Sequence, residues 1–175
     1  TFHWNSFSSL DQWLKQNQVP GIVGLDTRHL VHMIRNNPNL LGRVVPENAK
    51  SVRNYTADFI QNKENYFDPG EHEILKQVSV RESVILGQGR HRVAVVDCGV
   101  KWNIIRQLLD LDLEVQIVPY DSDLSKVDCN AWLLSNGPGD PEKTGNLVSQ
   151  VRELIKQDRP ILGICLGHQV LALAA

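Results

Sequence analysis

The sequence predicts an α/β chain in which a smaller, helix-bearing first half precedes a doubly wound, mainly parallel sheet. Three observations lead to that class. After GQGRHR at residues 87–92, short apolar runs alternate with amphipathic stretches at the spacing of βαβ units. Before that point the chain carries capped helical patterns followed by a polar stretch. Near the end, an apolar strand pattern at 160–164 passes straight into an apolar helical one through GICLGHQ, residues 163–169.

The elements follow in chain order. Ser9 with Gln12 has the form of a capping box, and Leu10, Trp13 and Leu14 recur at helical spacing, so a helix is expected over 9–16. Asp26 or Thr27 caps a second helix, whose expected buried face is Leu30, Val31, Met33 and Ile34 and whose end is marked by Asn36, Asn37 and Pro38. A third helix is expected from about 47 to 60, and a polar stretch from 62 to 80 with a turn at Pro69 and Gly70. The strand and helix patterns then alternate. Strands are expected at 93–96, 114–118, 131–134 and 161–164, and helices at 104–111 and 145–156. The division between the halves falls near residue 90, giving domains 1–90 and 91–175, the second reading as the opening half of a flavodoxin-like sheet.

Composition narrows the function. A chain of 175 residues can bury one good core or two small ones. With 18 Lys and Arg against 20 Asp and Glu there is no basic face for phosphates, so no nucleic-acid partner is expected. Three cysteines without framework spacing fit reduced thiols in a cytoplasmic compartment. No run approaches the roughly twenty apolar residues of a membrane span, and nothing at the start reads as a signal peptide. The chain opens on Thr1 and stops at Ala175 inside the last helical pattern, and it is therefore read as an internal piece of a longer protein.

Cys165 sits at the joint of GICLGHQ. A strand that turns at once into a helix, with Gly163 and Gly167 two residues to either side, holds its central side chain on a strained corner clear of the sheet, as a nucleophile elbow does. The N–H groups of the following turn carry partial positive charge, which favours a thiolate there. The plain alternative is a small buried hydrophobe. A second segment bears on the choice. The apolar run 131–134 ends in SNGPGDP, residues 135–141, a surface turn by composition. In a parallel sheet, however, strand-end loops lie side by side along the carboxyl edge, where ligands bind. A bare N–H of Gly137 or Gly139, paired with the N–H of Leu166, then forms a two-donor oxyanion hole beside the sulfur.

These residues resemble the class I glutamine amidotransferases, and within them the small-subunit family of carbamoyl-phosphate synthase. The resemblance rests on SNGPGDP, on GICLGHQ followed by VLALA, on VDCGVKWNIIRQL at 96–108 and on PGIVGLDTRHLVHMIR at 20–35. It implies that the first half is part of a smaller α+β small-subunit domain and the second the amino-terminal half of the amidotransferase domain. It further implies that Cys165 attacks the side-chain amide of L-glutamine, forms a γ-glutamyl thioester and releases ammonia. Gly137, Gly139, Leu166 and Gln169 carry over as oxyanion donors and substrate contacts. The general base and its carboxylate belong to a His-Pro-Glu segment, which these 175 residues do not contain. His168 is accordingly read as a packing or capping residue of the elbow helix.

The resemblance also implies a partner, a large synthetase, separate or fused, that uses ATP and Mg to make carbamoyl phosphate for pyrimidine and arginine synthesis. No cofactor is expected in this chain, which lacks a GxxxxGK[ST] loop, and no metal, since His29 and His32 have no third ligand placed to join them. Asp97, Gly99, Lys101 and Asn103 are read as a strand-end turn with polar capping, the alternative being an interface through which ammonia leaves. Cys98 and Cys129 are read as core thiols. Two rival readings stand beside the enzyme: a non-catalytic module of the same fold that binds or regulates a synthetase, and another cysteine hydrolase of the flavodoxin-like superfamily.

Overall fold

The structure is a computed structural model that describes residues 7–37, 40–42, 44 and 72–175. The chain divides into two units, Thr1–Phe67 and Asp68–Ala175.

The first unit shows two described helices. Helix α1, Leu10–Gln16, starts on the expected capping box: the Ser9 side chain accepts from the Gln12 N–H, and the Gln12 side chain accepts from the Ser9 N–H, both at 3.1 Å. Helix α2, Thr27–Asn36, is capped by Asp26, whose carboxylate accepts from the His29 N–H at 2.9 Å. Each cap satisfies N–H groups that no intrahelical carbonyl reaches, which is why both helices begin where the sequence predicts. The expected buried face of α2 is a correction. Leu30 is half-buried, whereas Val31, Met33 and Ile34 are exposed, because no described residue covers them. The helix expected over 47–60 and the turn at Pro69 and Gly70 lie outside the described residues.

The second unit is a five-stranded sheet. Its strands are β1 (Val84–Leu86), β2 (Arg92–Asp97), β3 (Glu114–Pro119), β4 (Ala131–Leu134) and β5 (Ile161–Gly163), in the order β1-β3-β2-β4-β5. All neighbours run parallel except β1, which is an antiparallel edge paired Val84 to Ile117. The helices are α3 (Ile74–Val78), α4 (Trp102–Asp110), α5 (Leu147–Ile155) and α6 (Leu166–Ala174). The sheet unit thus reaches back past residue 90. Three apolar residues in β1 are too few to show a period, and α3 lies in the stretch read as polar, where the buried Leu75 anchors it.

Double winding is visible in how the strands divide their side chains. Val93 and Val95 of β2, Val115 and Ile117 of β3 and Leu133 of β4 face one side, packed with Ile105 of α4. Ala94 and Val96, Val118, and Trp132 and Leu134 face the other, packed with Leu147, Val151 and Leu154 of α5 and Leu166, Val170 and Ala174 of α6. Strands buried on both faces read as continuous apolar runs rather than alternating ones. Each large aliphatic side chain fully buried here contributes about 1.5–3 kcal/mol. The strand order reverses between β2 and β4, one leading outward to β3 and the other to β5, so a crevice opens at their carboxyl ends. That crevice is bounded by the loops after β2, β4 and β5.

Candidate active site

Cys165 lies between the last residue pairs of β5 and the first turn of α6. Its backbone has φ 53° and ψ −110°, a conformation that L residues other than glycine rarely hold, and its side chain is exposed. Such strain costs about 1–3 kcal/mol and persists only where the surroundings enforce it. Here they do. Leu166, buried to 1% exposure, plants the start of α6 in the core, and the parallel ladder of β4 with β5 fixes the other side of the corner.

The two flanking glycines have a packing reason of their own. A Cβ on Gly163 would lie 2.6 Å from the Gly167 carbonyl oxygen and 2.7 Å from the His168 backbone nitrogen, so β5 passes directly beneath the first turn of α6. A Cβ on Gly167 would strike the carbonyl of Leu134 at the end of β4. The small residues therefore let helix and strands approach closely enough to make the corner sharp, besides freeing the backbone.

The SNGPGDP loop stands beside this corner. The Gly167 N–H donates to the Ser135 carbonyl at 3.0 Å, and the Ile164 N–H to the Leu134 carbonyl at 3.0 Å. On its other side the loop is joined to the turn after β2. The Cys98 N–H donates to the Ser135 hydroxyl at 2.9 Å, and that hydroxyl donates to the Asn136 carbonyl at 2.8 Å. The Asn136 side chain donates to the Gly99 carbonyl at 2.9 Å and accepts from the Lys101 N–H at 3.2 Å. Gly137 backs directly onto the Cys98 carbonyl, leaving no room for a Cβ, and Gly139 has φ +95° in open space. Three strand-end loops are thus held at one place, the carboxyl edge where β2, β4 and β5 end.

Asp97 closes the third side. It is buried, and its carboxylate accepts from the N–H groups of Gly99 at 2.9 Å, Val100 at 2.7 Å and Val80 at 2.8 Å. This is the polar capping of a strand-end turn that the sequence suggests, with Lys101 and Asn103 exposed at the start of α4. Charge-assisted bonds of this kind are about twice as strong as neutral ones. Val78 of α3 packs at Gly99, where a Cβ would come within 3.1 Å of it and 3.3 Å of Pro138. Pro138 and Gly139 also wall a cleft of about 130 Å³ with Leu75, Tyr120 and Asp140; Cys165 does not line it.

The expected residues are therefore gathered, with one correction. Cys165, Leu166 and Gln169 share the start of α6, with Gln169 exposed one turn beyond the cysteine and its N–H donating to the Cys165 carbonyl at 3.0 Å. Gly137 and Gly139 are on the adjoining loop. His168, expected to pack or cap, is exposed on the opposite side of α6 from Leu166, Val170 and Ala174, because the helical period turns it outward. Cys98 is buried, and burial, helped by the neighbouring Asp97 charge, pushes its thiol up to about 12. Cys129 is also buried and its thiol raised by burial, against the opposing effect of Arg159. Ser135 and Asn136 are the site-building residues that sequence reasoning passed over. The available signal was a pair of polar side chains immediately after a buried strand, where a buried polar group needs partners.

Comparison with known proteins gives two family matches along the chain. Residues 94–175 match the family model described as glutamine amidotransferase class-I, and residues 1–44 match that of the carbamoyl-phosphate synthase small chain, CPSase domain. The chain is 38% identical over 172 residues to the carbamoyl phosphate synthase small chain of Pyrobaculum aerophilum, covering 98% of this chain and 48% of that protein. It is 36% identical over 177 residues to the mitochondrial carbamoyl-phosphate synthase [ammonia] of Aquarana catesbeiana, covering 99% of this chain and 11% of that one. To the arginine-specific small chain of Saccharomyces cerevisiae it is 37% identical over 183 residues, covering 99% of this chain and 42% of the relative. The chain thus spans about half the length, or less, of the curated relatives it matches. The two family models are thus matched in this order along one chain, which is similar over nearly its whole length to carbamoyl-phosphate synthase small chains, its sheet unit being of the class-I glutamine amidotransferase kind.

Proposed function

We propose that this chain is part of a glutamine amidotransferase that hydrolyses L-glutamine and hands the ammonia to a synthetase making carbamoyl phosphate. The observation that carries the reading is the exposed Cys165 on its strained corner, with the Gly137–Gly139 loop tied to the same turn. The thiolate attacks the carboxamide carbon of glutamine, and the carbonyl electrons move to oxygen. That oxyanion is received by the Leu166 N–H, which as the first residue of α6 has no intrahelical acceptor, and by an N–H of Gly137 or Gly139. Collapse of the intermediate expels ammonia, protonated by a general acid, and leaves a γ-glutamyl thioester. Water, deprotonated by the same group acting as base, then releases glutamate and restores the thiol. Gln169 faces the substrate from the next turn of α6.

The base comes from outside these 175 residues, which contain no His-Pro-Glu segment, while His168 points away from the core side of α6. Synthetase, ATP and Mg lie on the partner, a separate subunit or a fused region, and the product serves pyrimidine or arginine synthesis. This chain itself needs no cofactor. The three free thiols suit a reducing compartment such as the cytoplasm, and no described helix is long and apolar enough to cross a membrane.

A second reading, that of a binding or regulatory module without turnover, draws on the relative whose name specifies ammonia. One experiment separates the two. In the full-length product of the gene with its synthetase, glutamate release from glutamine is expected to vanish in Cys165→Ala, while synthesis from added ammonium persists. Release that survives this substitution sinks the enzyme reading. Residues 1–175 alone are expected to show no turnover; steady release that Cys165→Ala abolishes would show that no outside base is needed.

A further inference from the structure

We infer that Asn136 is a positioning residue for this reaction, a latch that fixes the Gly137–Gly139 loop in register with the cysteine corner. The inference rests on the amidotransferase reading above. Asn136 sits between two glycine-bearing turns with no secondary structure of its own, and its amide makes one bond in each direction to the turn after β2: Nδ2 to the Gly99 carbonyl at 2.9 Å, and Oδ1 from the Lys101 N–H at 3.2 Å. That turn is itself immobilised, because the Asp97 carboxylate accepts from the Gly99, Val100 and Val80 N–H groups. The next residue, Gly137, has no side chain to hold it and lies against the Cys98 carbonyl.

The preceding residue contributes differently. Ser135 is fully buried, and its carbonyl takes the Gly167 N–H from the cysteine corner while its hydroxyl takes the Cys98 N–H. Ser135 therefore fixes where the loop starts, and Asn136 fixes the direction in which it leaves. Without the latch, the loop keeps the Ser135 hydroxyl on the Asn136 carbonyl and the contact of Gly137 with Cys98 but loses both side-chain bonds to the turn after β2, and Gly139 beyond has nothing within contact distance of its Cβ position to restore the direction. A preorganised donor acts only if it already points to where charge develops, and a displacement of about 1 Å can cost about a hundredfold in rate.

The latch separates transition-state stabilisation from the reactivity of the sulfur, and the test uses that separation. In the full-length gene product with its synthetase, Asn136→Ala is expected to lower glutaminase kcat by about 10–100-fold with KM changed less than about threefold. Alkylation of Cys165 by iodoacetamide, a displacement at carbon that develops no carbonyl oxyanion, is expected to keep its wild-type rate, and thermal melting to stay cooperative. Unchanged kcat overturns the inference. So does a loss of kcat that is matched by slower alkylation or by loss of cooperative melting, which would mark a purely structural role, and so does a rise in KM alone. The underlying amidotransferase reading is judged separately by Cys165→Ala: if that variant still releases glutamate, the reading fails whatever Asn136→Ala does.

Discussion

The Gly167 N–H, two residues past Cys165, donates to the Ser135 carbonyl at 3.0 Å and shares itself with the Ile164 carbonyl at 3.0 Å. One N–H of the cysteine corner thus reaches back to its own strand and across to the neighbouring loop. The position of Cys165 and the position of the SNGPGDP loop are consequently one structural variable, and a change at either side is felt at the other.

The glycines of the corner should be intolerant of even a methyl group. In Gly163→Ala the added Cβ meets the Gly167 oxygen at 2.6 Å, and in Gly167→Ala it meets the Leu134 carbonyl, in each case backbone that cannot swing aside. Each substitution is expected to cost about 1–3 kcal/mol or more in urea unfolding, and to abolish glutamate release even though Cys165 is unchanged. Wild-type stability in either variant would show that the close approach of α6 to β4 and β5 is not what shapes the corner.

Strain at Cys165 predicts an opposition between stability and activity. Replacing the residue with glycine relieves the φ of 53° and loses little packing, since the side chain is exposed. Cys165→Gly is therefore expected to be more stable than Cys165→Ala by about 1 kcal/mol, with both inactive. Equal denaturation midpoints for the two variants would mean that the corner carries no strain.

Asp97 supports the whole carboxyl edge. Asp97→Ala leaves three N–H donors, of Val80, Gly99 and Val100, without their acceptor. The expected loss is about 3–5 kcal/mol, since each unsatisfied buried donor costs about 1–3 kcal/mol and the three relax together. A loss under about 1 kcal/mol by denaturant titration would show that water replaces the carboxylate freely.

Thiol labelling and pH offer a further check. Cys165 is exposed whereas Cys98 and Cys129 are buried, so one thiol per chain should react rapidly in the native state and the others only on unfolding. Burial and the Asp97 charge raise the Cys98 thiol from an ordinary 9.0 to about 12. The folded state thus holds this proton more tightly than the unfolded one. The corresponding stability is fully present below pH 9.0 and is lost as pH rises toward about 12. Cys98→Ala should flatten the alkaline part of the stability profile; an unchanged slope would place its origin in other groups.

Much of the second unit was legible in the sequence because its strands are buried on both faces. The runs 93–96, 114–118 and 131–134 each fall within an observed strand, and Ser9 and Asp26 cap the helices they announce. The strand β1 and the helix α3 were not legible, since elements of three and five residues take their stability from what they pack on. The face of α2 carried a clear apolar pattern, yet pattern alone does not supply a covering partner.

The sequence by itself determined the corner. A cysteine between two glycines, at the junction of an apolar strand and an apolar helix, settles where the chain turns, and the strained backbone of Cys165 at that turn is then held by Leu166 in the core and by the ladder of β4 with β5. What only the tertiary structure decided is how the three strand-end loops are fastened together: Ser135 to Cys98 and Gly167, Asn136 to Gly99 and Lys101, Asp97 to Val80. Those partners lie up to 37 residues apart, and nothing in their spacing reveals which polar side chain will meet which orphaned N–H. Strand order brings them within reach, and the cost of burying an unpaired donor then selects the pairing.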